Sequence, residues 1–99
     1  MIVKKFLKTK DVCDVVFEYT NENATEVALA GDFNDWEPVP MKQAKKAGSP
    51  FLAKVRLPKN GEYQFRYYVD GSYWANDEAA DAYRPSEFGE DNSVVSTYE

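Results

Sequence analysis

The chain has 99 residues, 43% of them hydrophobic and 15% aromatic, which is enough apolar material for one small domain with a core that needs no staples. It contains no histidine and one cysteine, Cys13, so an internal disulfide, a histidine-based metal site and Ser-His or Cys-His catalysis are excluded. The net charge of −5 is uneven, with Asp77, Glu78, Asp81, Glu87, Glu90, Asp91 and Glu99 against a short basic stretch of Lys4, Lys5, Lys8 and Lys10, and that stretch is too narrow a stripe for a phosphate backbone.

A neutral ligand or a protein partner suits this balance, and neither nucleic acid nor a membrane is expected to bind. No run resembles a transmembrane segment, and Met1 to Lys8 lacks the long apolar stretch of a secretory signal, so a cytoplasmic location is expected. Residues 1–10 read as a solvated basic arm, and residues 11–99 as a single domain. Asn23-Ala24-Thr25 matches a glycosylation sequon and reads as a turn in the absence of a secretory route.

Val12 to Tyr19 alternates as a strand, with Cys13, Val15, Phe17 and Tyr19 on one face and Asp14 and Glu18 on the other; Cys13 is expected in the core. Asn21 to Ala24 is turn chemistry, and Glu26 to Ala30 is a short second strand expected to pair with the first as a hairpin. That strand runs into Gly31-Asp32-Phe33-Asn34-Asp35-Trp36, where a glycine free to take a positive φ and three side chains able to bond their own backbone predict a loop of fixed shape. Alternation carries Phe33 inward with Val27 and Leu29, whereas the polar, proline-rich surroundings of Trp36 leave its exposure open.

Met41 to Pro50 has no apolar stripe and reads as a strand edge plus loop. Phe51 to Leu57 alternates, with Phe51, Ala53, Val55 and Leu57 inward, and Pro58 is expected to block further pairing. Asn60-Gly61 turns the chain into Glu62 to Val69, whose one face, Tyr63, Phe65, Tyr67 and Val69, is core material. The other face places Gln64, Arg66 and Tyr68 on an open sheet. Asp70-Gly71 signals a hairpin that delivers Tyr73 and Trp74. Asn76 to Gly89 reads as a surface excursion with a helical turn at Asp77 to Ala82, and Asp91 to Thr97 returns as a last strand. Short strands at about ten-residue spacing predict an all-β sandwich, immunoglobulin-like in class.

Trp36, Gln64, Arg66, Trp74 and the stretch from Phe88 to Asn92 can line one surface. Flat, rigid aromatic rings suit the C–H face of a pyranose, and Arg and Asn supply hydrogen bonds to its hydroxyls. Gly31 to Trp36, Tyr63 to Gly71 and Phe88 to Val95, in that order and spacing, resemble the family 48 carbohydrate-binding modules. These are the early-set, immunoglobulin-like N-terminal domains of isoamylases and glycogen branching enzymes and the glycogen-binding domain of the AMP-activated kinase β subunit, and the likeness runs from Asp11 to Thr97. Within that family the run from Trp74 to Val95 looks like that of small stand-alone bacterial proteins.

The resemblance implies that Trp36 and a second aromatic after the Asp-Gly turn stack on glucose. Counting without a gap puts Tyr73 at that second position, one inserted residue puts Trp74 there, and Trp74 is favoured. The lysine that hydrogen-bonds sugar in glycogen-binding members matches Arg66, a loop leucine matches Phe88, a threonine matches Glu90, and a sugar-contacting asparagine matches Asn92. Arg66 keeps charge and donors in a different geometry.

Three functions follow as expectations. The leading one is a non-catalytic module that binds α-1,4-linked glucan through Trp36, Arg66, Trp74 and Asn92, with Gln64, Tyr73 and Phe88 nearby and no cofactor. The second is an interaction module that docks on a glycan-metabolising enzyme without binding sugar itself. The third, a glycosidase using acids such as Asp32 and Asp35, is disfavoured, because in the family the catalytic acids belong to a separate barrel and these acids suit turns and caps. A calcium site at Asn76, Asp77, Glu78 and Asp81 lacks a recognisable ligand spacing.

Overall fold

A computed structural model of the chain describes residues 1–46, 48–87 and 89–99. Its strands are β1 (Ile2–Phe6), β2 (Val12–Tyr19), β3 (Val27–Gly31), β4 (Val39–Pro40), β5 (Lys42–Gln43), β6 (Phe51–Pro58), β7 (Glu62–Val69), β8 (Tyr73–Ala75), β9 (Ala82–Pro85) and β10 (Asp91–Ser96). They form two antiparallel sheets. One has four strands in the order β1-β2-β6-β5; the other has six, in the order β4-β3-β7-β10-β9 with β8 also paired to β7. The all-β sandwich expected from the strand pattern is the observed fold, of the immunoglobulin-like early-set kind.

The core lies between the sheets, where each long strand contributes alternate residues. Val15 and Phe17 of β2, Phe51 and Leu57 of β6, Leu29 of β3 and Phe65, Tyr67 and Val69 of β7 are all buried. Aromatic rings join the layers: Phe65 meets Phe17 edge-on at 4.8 Å, and Tyr19 packs on Tyr67 at 4.6 Å. Cys13 is in this core as expected, and burial pushes its thiol pKa up. Phe33 sits against the cluster, 5.4 Å from the ring of Phe17.

Several local expectations differ from the structure. β2 and β3 are not a hairpin: β2 pairs with β1 and β6, while β3 pairs with β4 and β7 in the opposite sheet. The turn at Asn21 therefore crosses the sandwich instead of closing a ladder, and both strands bury their apolar faces by facing one another. The residues read as a basic arm contain β1, which caps the edge of β2 from Ile2 opposite Phe17 to Phe6 opposite Cys13. Ile2 and Phe6 pack on the core, Lys5 points outward, and Lys4, on the same face as Ile2 and Phe6, reaches Asp81 Oδ2 with its Nζ at 2.7 Å. Pro58 is where the pairing stops, as expected: it is the last residue of β6, and its pairing with Val12 is the last of the β2–β6 ladder. The stretch from Asp77 to Ala82 makes turns and enters β9 without a helical turn.

Met41 explains how the chain changes sheets. It is buried between β4, in one sheet, and β5, in the other, and its N–H donates to Val27 O at 2.8 Å. Asn60-Gly61 makes the third crossing, from β6 to β7, with Asn60 at a φ of 63°. β7 then receives β3 along Phe65–Val69 on one side, and on the other both β10 along Glu62–Phe65 and β8 along Tyr67–Val69. β7 is thus the central strand of its sheet, and its outward face is framed by β8, β10 and the loop after β3.

Candidate functional site

Each strand of this outer face contributes one or more side chains to a groove of about 910 Å³. It is lined by Trp36 and Asp32 from the loop after β3, Gln64 and Arg66 from β7, Trp74 from β8, Asn92 from β10, Pro85 from the end of β9, and Ser86, Glu87 and Glu90 from the segment between β9 and β10.

The loop that carries Trp36 is held by its own polar side chains. After β3 the chain makes a single 3-10 turn, Asp32–Asn34. Asn34 spans the neck of the loop, accepting from the Gly31 N–H at 2.9 Å and donating to Leu29 O at 3.1 Å. The Trp36 N–H returns to Gly31 O at 2.9 Å. Asp32 fixes the indole itself: Oδ1 accepts from Trp36 Nε1 at 3.0 Å while Oδ2 accepts from the Gln64 N–H at 2.8 Å, tying the ring to β7. Ring orientation is therefore built in before any ligand arrives, which lowers the entropic cost of binding.

The glycine expected to supply a positive φ does something else. Gly31 is extended, at a φ of −174°, and the left-handed residues are Asp35 and Trp36, at 55° and 59°. What Gly31 provides is room, because a Cβ there would lie 2.5 Å from Gln64 O and 2.9 Å from the Phe33 ring. Two consecutive non-glycine residues in the left-handed region cost energy and throw the Trp36 side chain back over the sheet.

The second aromatic comes from the β7–β8 hairpin. Asp70 and Gly71 both have positive φ, at 51° and 61°, as the central residues of a tight turn closed by the Ser72 N–H on Val69 O at 2.9 Å. Asp70 also anchors the turn to the start of β3, its carboxylate accepting the N–H groups of Thr25 and Glu26 at 2.8 Å each. In register, Trp74 lies opposite Tyr68 and Tyr73 opposite Val69, so the two aromatics fall on opposite faces. Trp74 lines the groove and packs on the Tyr68 ring at 4.5 Å with the planes 34° apart. Tyr73 lies outside the groove lining, its hydroxyl accepting from Asn21 Nδ2 at 3.1 Å. Tyr68 braces Trp74 from below, and its hydroxyl donates to Gly71 O at 2.9 Å.

Arg66 is less open than the strand pattern predicts. Its residue is 9% exposed, because Nη1 donates to Glu90 Oε2 at 3.1 Å and Nη2 to Asp91 O at 3.0 Å, drawing the guanidinium against β10. Nε is enclosed with no hydrogen-bond partner among the described residues. Beside it, Asn92 Nδ2 donates to Gln64 Oε1 at 2.8 Å, leaving the Asn92 carbonyl oxygen and the Gln64 amide group as an acceptor and a donor. Phe88, the remaining expected site residue, lies outside the described residues.

The structure therefore brings Trp36, Gln64, Arg66, Trp74 and Asn92 to one groove and sets Tyr73 apart. Sequence reasoning missed Asp32 and Tyr68 as supports. The signal for Tyr68 was its place opposite the hairpin aromatic; for Asp32 it was the four-residue step to Trp36 across a turn. Of the acids Asp32 and Asp35, only Asp32 lines the groove, and both of its carboxylate oxygens are occupied by N–H donors. No group of three or more metal-ligating side chains forms among the described residues, and none of their helices is long and apolar enough to cross a membrane.

The sequence is similar to those of two kinds of known protein. The AMP-activated protein kinase β-1 subunit of Rattus norvegicus is 32% identical over 80 residues, covering 81% of this chain, and that of Bos taurus is 34% identical over the same span. A chloroplastic phosphoglucan phosphatase, LSF1 of Arabidopsis thaliana, is 30% identical over 81 residues, 82% of this chain and 13% of the phosphatase. The chain spans 27% of the length of the rat and bovine subunits. The family described as the glycogen recognition site of AMP-activated protein kinase matches residues 13–98, and this chain belongs to that family of carbohydrate-binding modules.

Proposed function

We propose that the groove binds α-1,4-linked glucan, as found in glycogen, starch or maltooligosaccharides, and that the chain acts by binding and not by catalysis. The observation that carries this reading is the placement of two indoles, Trp36 and Trp74, from separate loops in one groove with Arg66, Gln64 and Asn92. The rings offer flat apolar faces to glucose, and the polar side chains between them offer donors and acceptors to its hydroxyls. Family membership supports the same ligand class. An open, solvated groove with a few stacked rings should bind with about −4 to −6 kcal/mol, a Kd of tens of micromolar to millimolar.

The test is a heteronuclear NMR titration with maltoheptaose, with cellohexaose as control, following the indole signals of Trp36 and Trp74. Shifts at both indoles and at Asn92 with the α-linked sugar only are expected. An unchanged spectrum at millimolar maltoheptaose overturns the reading.

A second reading, docking on a glycan-metabolising enzyme, draws on the outer face of the β1-β2-β6-β5 sheet. There Val3 and Leu52 are 50% and 44% exposed on the side opposite the groove, so such a contact and sugar binding are compatible. Retention of an enzyme partner by wild type and its loss on Val3→Asp with Leu52→Asp tests this reading.

A further inference from the structure

We propose that the groove selects neutral glucan over phosphorylated glucan, and that Glu90 sets this selectivity by occupying Arg66; the inference rests on the reading of the groove as a glucan site. Arg66 is the one cation among the described residues that line the groove, and Asp32, Glu87 and Glu90 are its acids. Its guanidinium is already engaged on two sides, by the Glu90 carboxylate at Nη1 and the Asp91 carbonyl at Nη2. The next cation along the wall, Arg84, is drawn away to Glu62, with its Nη2 3.2 Å from Glu62 Oε1. Among the described residues, the groove thus presents uncompensated negative charge and no unengaged cation.

The two ligand types meet this arrangement differently. A sugar hydroxyl both donates and accepts, so it can join the pair by donating to Glu90 and accepting from Arg66 without separating charge. Glu90 is suited to this sharing, because its side chain is 75% exposed while that of Arg66 is 11% exposed. A phosphate has acceptors and a negative charge. To reach Arg66 it must displace Glu90 and leave a bare carboxylate at its side, and elsewhere along the groove it meets Asp32 or Glu87. Both positions are penalised by like-charge repulsion that salt screens.

The experiment compares the affinity of the chain for maltoheptaose and for maltoheptaose carrying one phosphate on a glucose 6-hydroxyl, in wild type and Glu90→Gln, at about 0.05 and 0.5 M salt. Wild type is expected to favour the neutral sugar by about tenfold at low salt, and both high salt and the Glu90→Gln substitution to bring the ratio below about threefold. Equal or tighter binding of the phosphorylated sugar by wild type overturns the selectivity while leaving the glucan reading in place. A preference that neither salt nor Glu90→Gln changes marks a steric origin and overturns the role of Glu90; a preference that salt removes but Glu90→Gln leaves intact assigns the repulsion to Asp32 or Glu87 and likewise overturns the role of Glu90, and Glu90→Asp gives the same reading if the glutamine variant does not fold. Absence of binding to either sugar overturns this inference together with the reading on which it rests.

Discussion

β7 has one backbone and two dissimilar faces. Inward, Phe65, Tyr67 and Val69 are fully buried and held by packing, Phe65 and Tyr67 against rings from the opposite sheet. Outward, Gln64, Arg66 and Tyr68 are each held by a specific partner: Asn92, Glu90 with Asp91 O, and Trp74 with Gly71 O. The inward face stabilises the fold through area removed from water, which is non-directional. The outward face gains little stability and uses directional bonds to hold rings and polar groups where a ligand can reach them. Stability and recognition are thereby separated by the two-residue period of a strand, and each face can be altered with little effect on the other.

The largest effect should come from the inward face. Phe65→Ala removes a fully buried ring at the sheet interface and is expected to destabilise the domain by about 3–5 kcal/mol, a large part of the stability of a domain this small, as read by chemical denaturation. Trp36→Ala, on the outward side, should do the reverse. Losing a pre-oriented ring should weaken maltoheptaose binding by about 2 kcal/mol, roughly thirtyfold, while moving the melting temperature by no more than about 2 °C. If Trp36→Ala unfolds the chain, the separation of the two faces is wrong.

A pH measurement sharpens the inward side. Burial, and a hydrogen bond from the Tyr67 hydroxyl to Asp77 Oδ2 at 2.7 Å, push the Tyr67 phenol well above its ordinary value. A group whose folded-state pKa is raised contributes stability that is intact below the unfolded value, here about 10, and is lost as pH climbs beyond it, because the unfolded chain releases the proton first. Above about pH 10, wild type should lose up to about 1.4 kcal/mol per pH unit more steeply than Tyr67→Phe. Parallel alkaline limbs would mean that the hydroxyl is not shielded. The smallest effect is expected at a support of the outward side. Asp32→Ala frees the Trp36 indole and the Gln64 N–H and should cost about 1 kcal/mol of glucan affinity, near fivefold, with cellohexaose still silent in the same titration.

Most of the strands were legible in the sequence because their apolar residues alternate. Val12 to Tyr19, Phe51 to Leu57 and Glu62 to Val69 appear with the inward faces expected of them. Pairing was less legible. Nothing local distinguishes a turn that closes a hairpin from one that crosses between sheets, and β2 and β3 were assigned to one hairpin when they face each other across the core. Residues 1–10 read as a solvated arm because four of them are lysine, and the packing of Ile2 and Phe6 on the core makes sense only once β2 offers an open edge.

By itself, the sequence determined the class of fold, the face of β7 that is buried and the aromatic and polar side chains proposed for the groove, since these follow from side-chain period and residue type. Tertiary structure decided which of those residues meet. The register of the β7–β8 hairpin turned Trp74 into the groove and Tyr73 away from it, and the approach of β10 drew Arg66 into its pair with Glu90. It also decided why residue 31 is glycine: the position is extended, and only the crossing of the loop over Gln64 O leaves no space for a Cβ. Distances between segments far apart in the chain set these outcomes, and a local pattern carries no record of them.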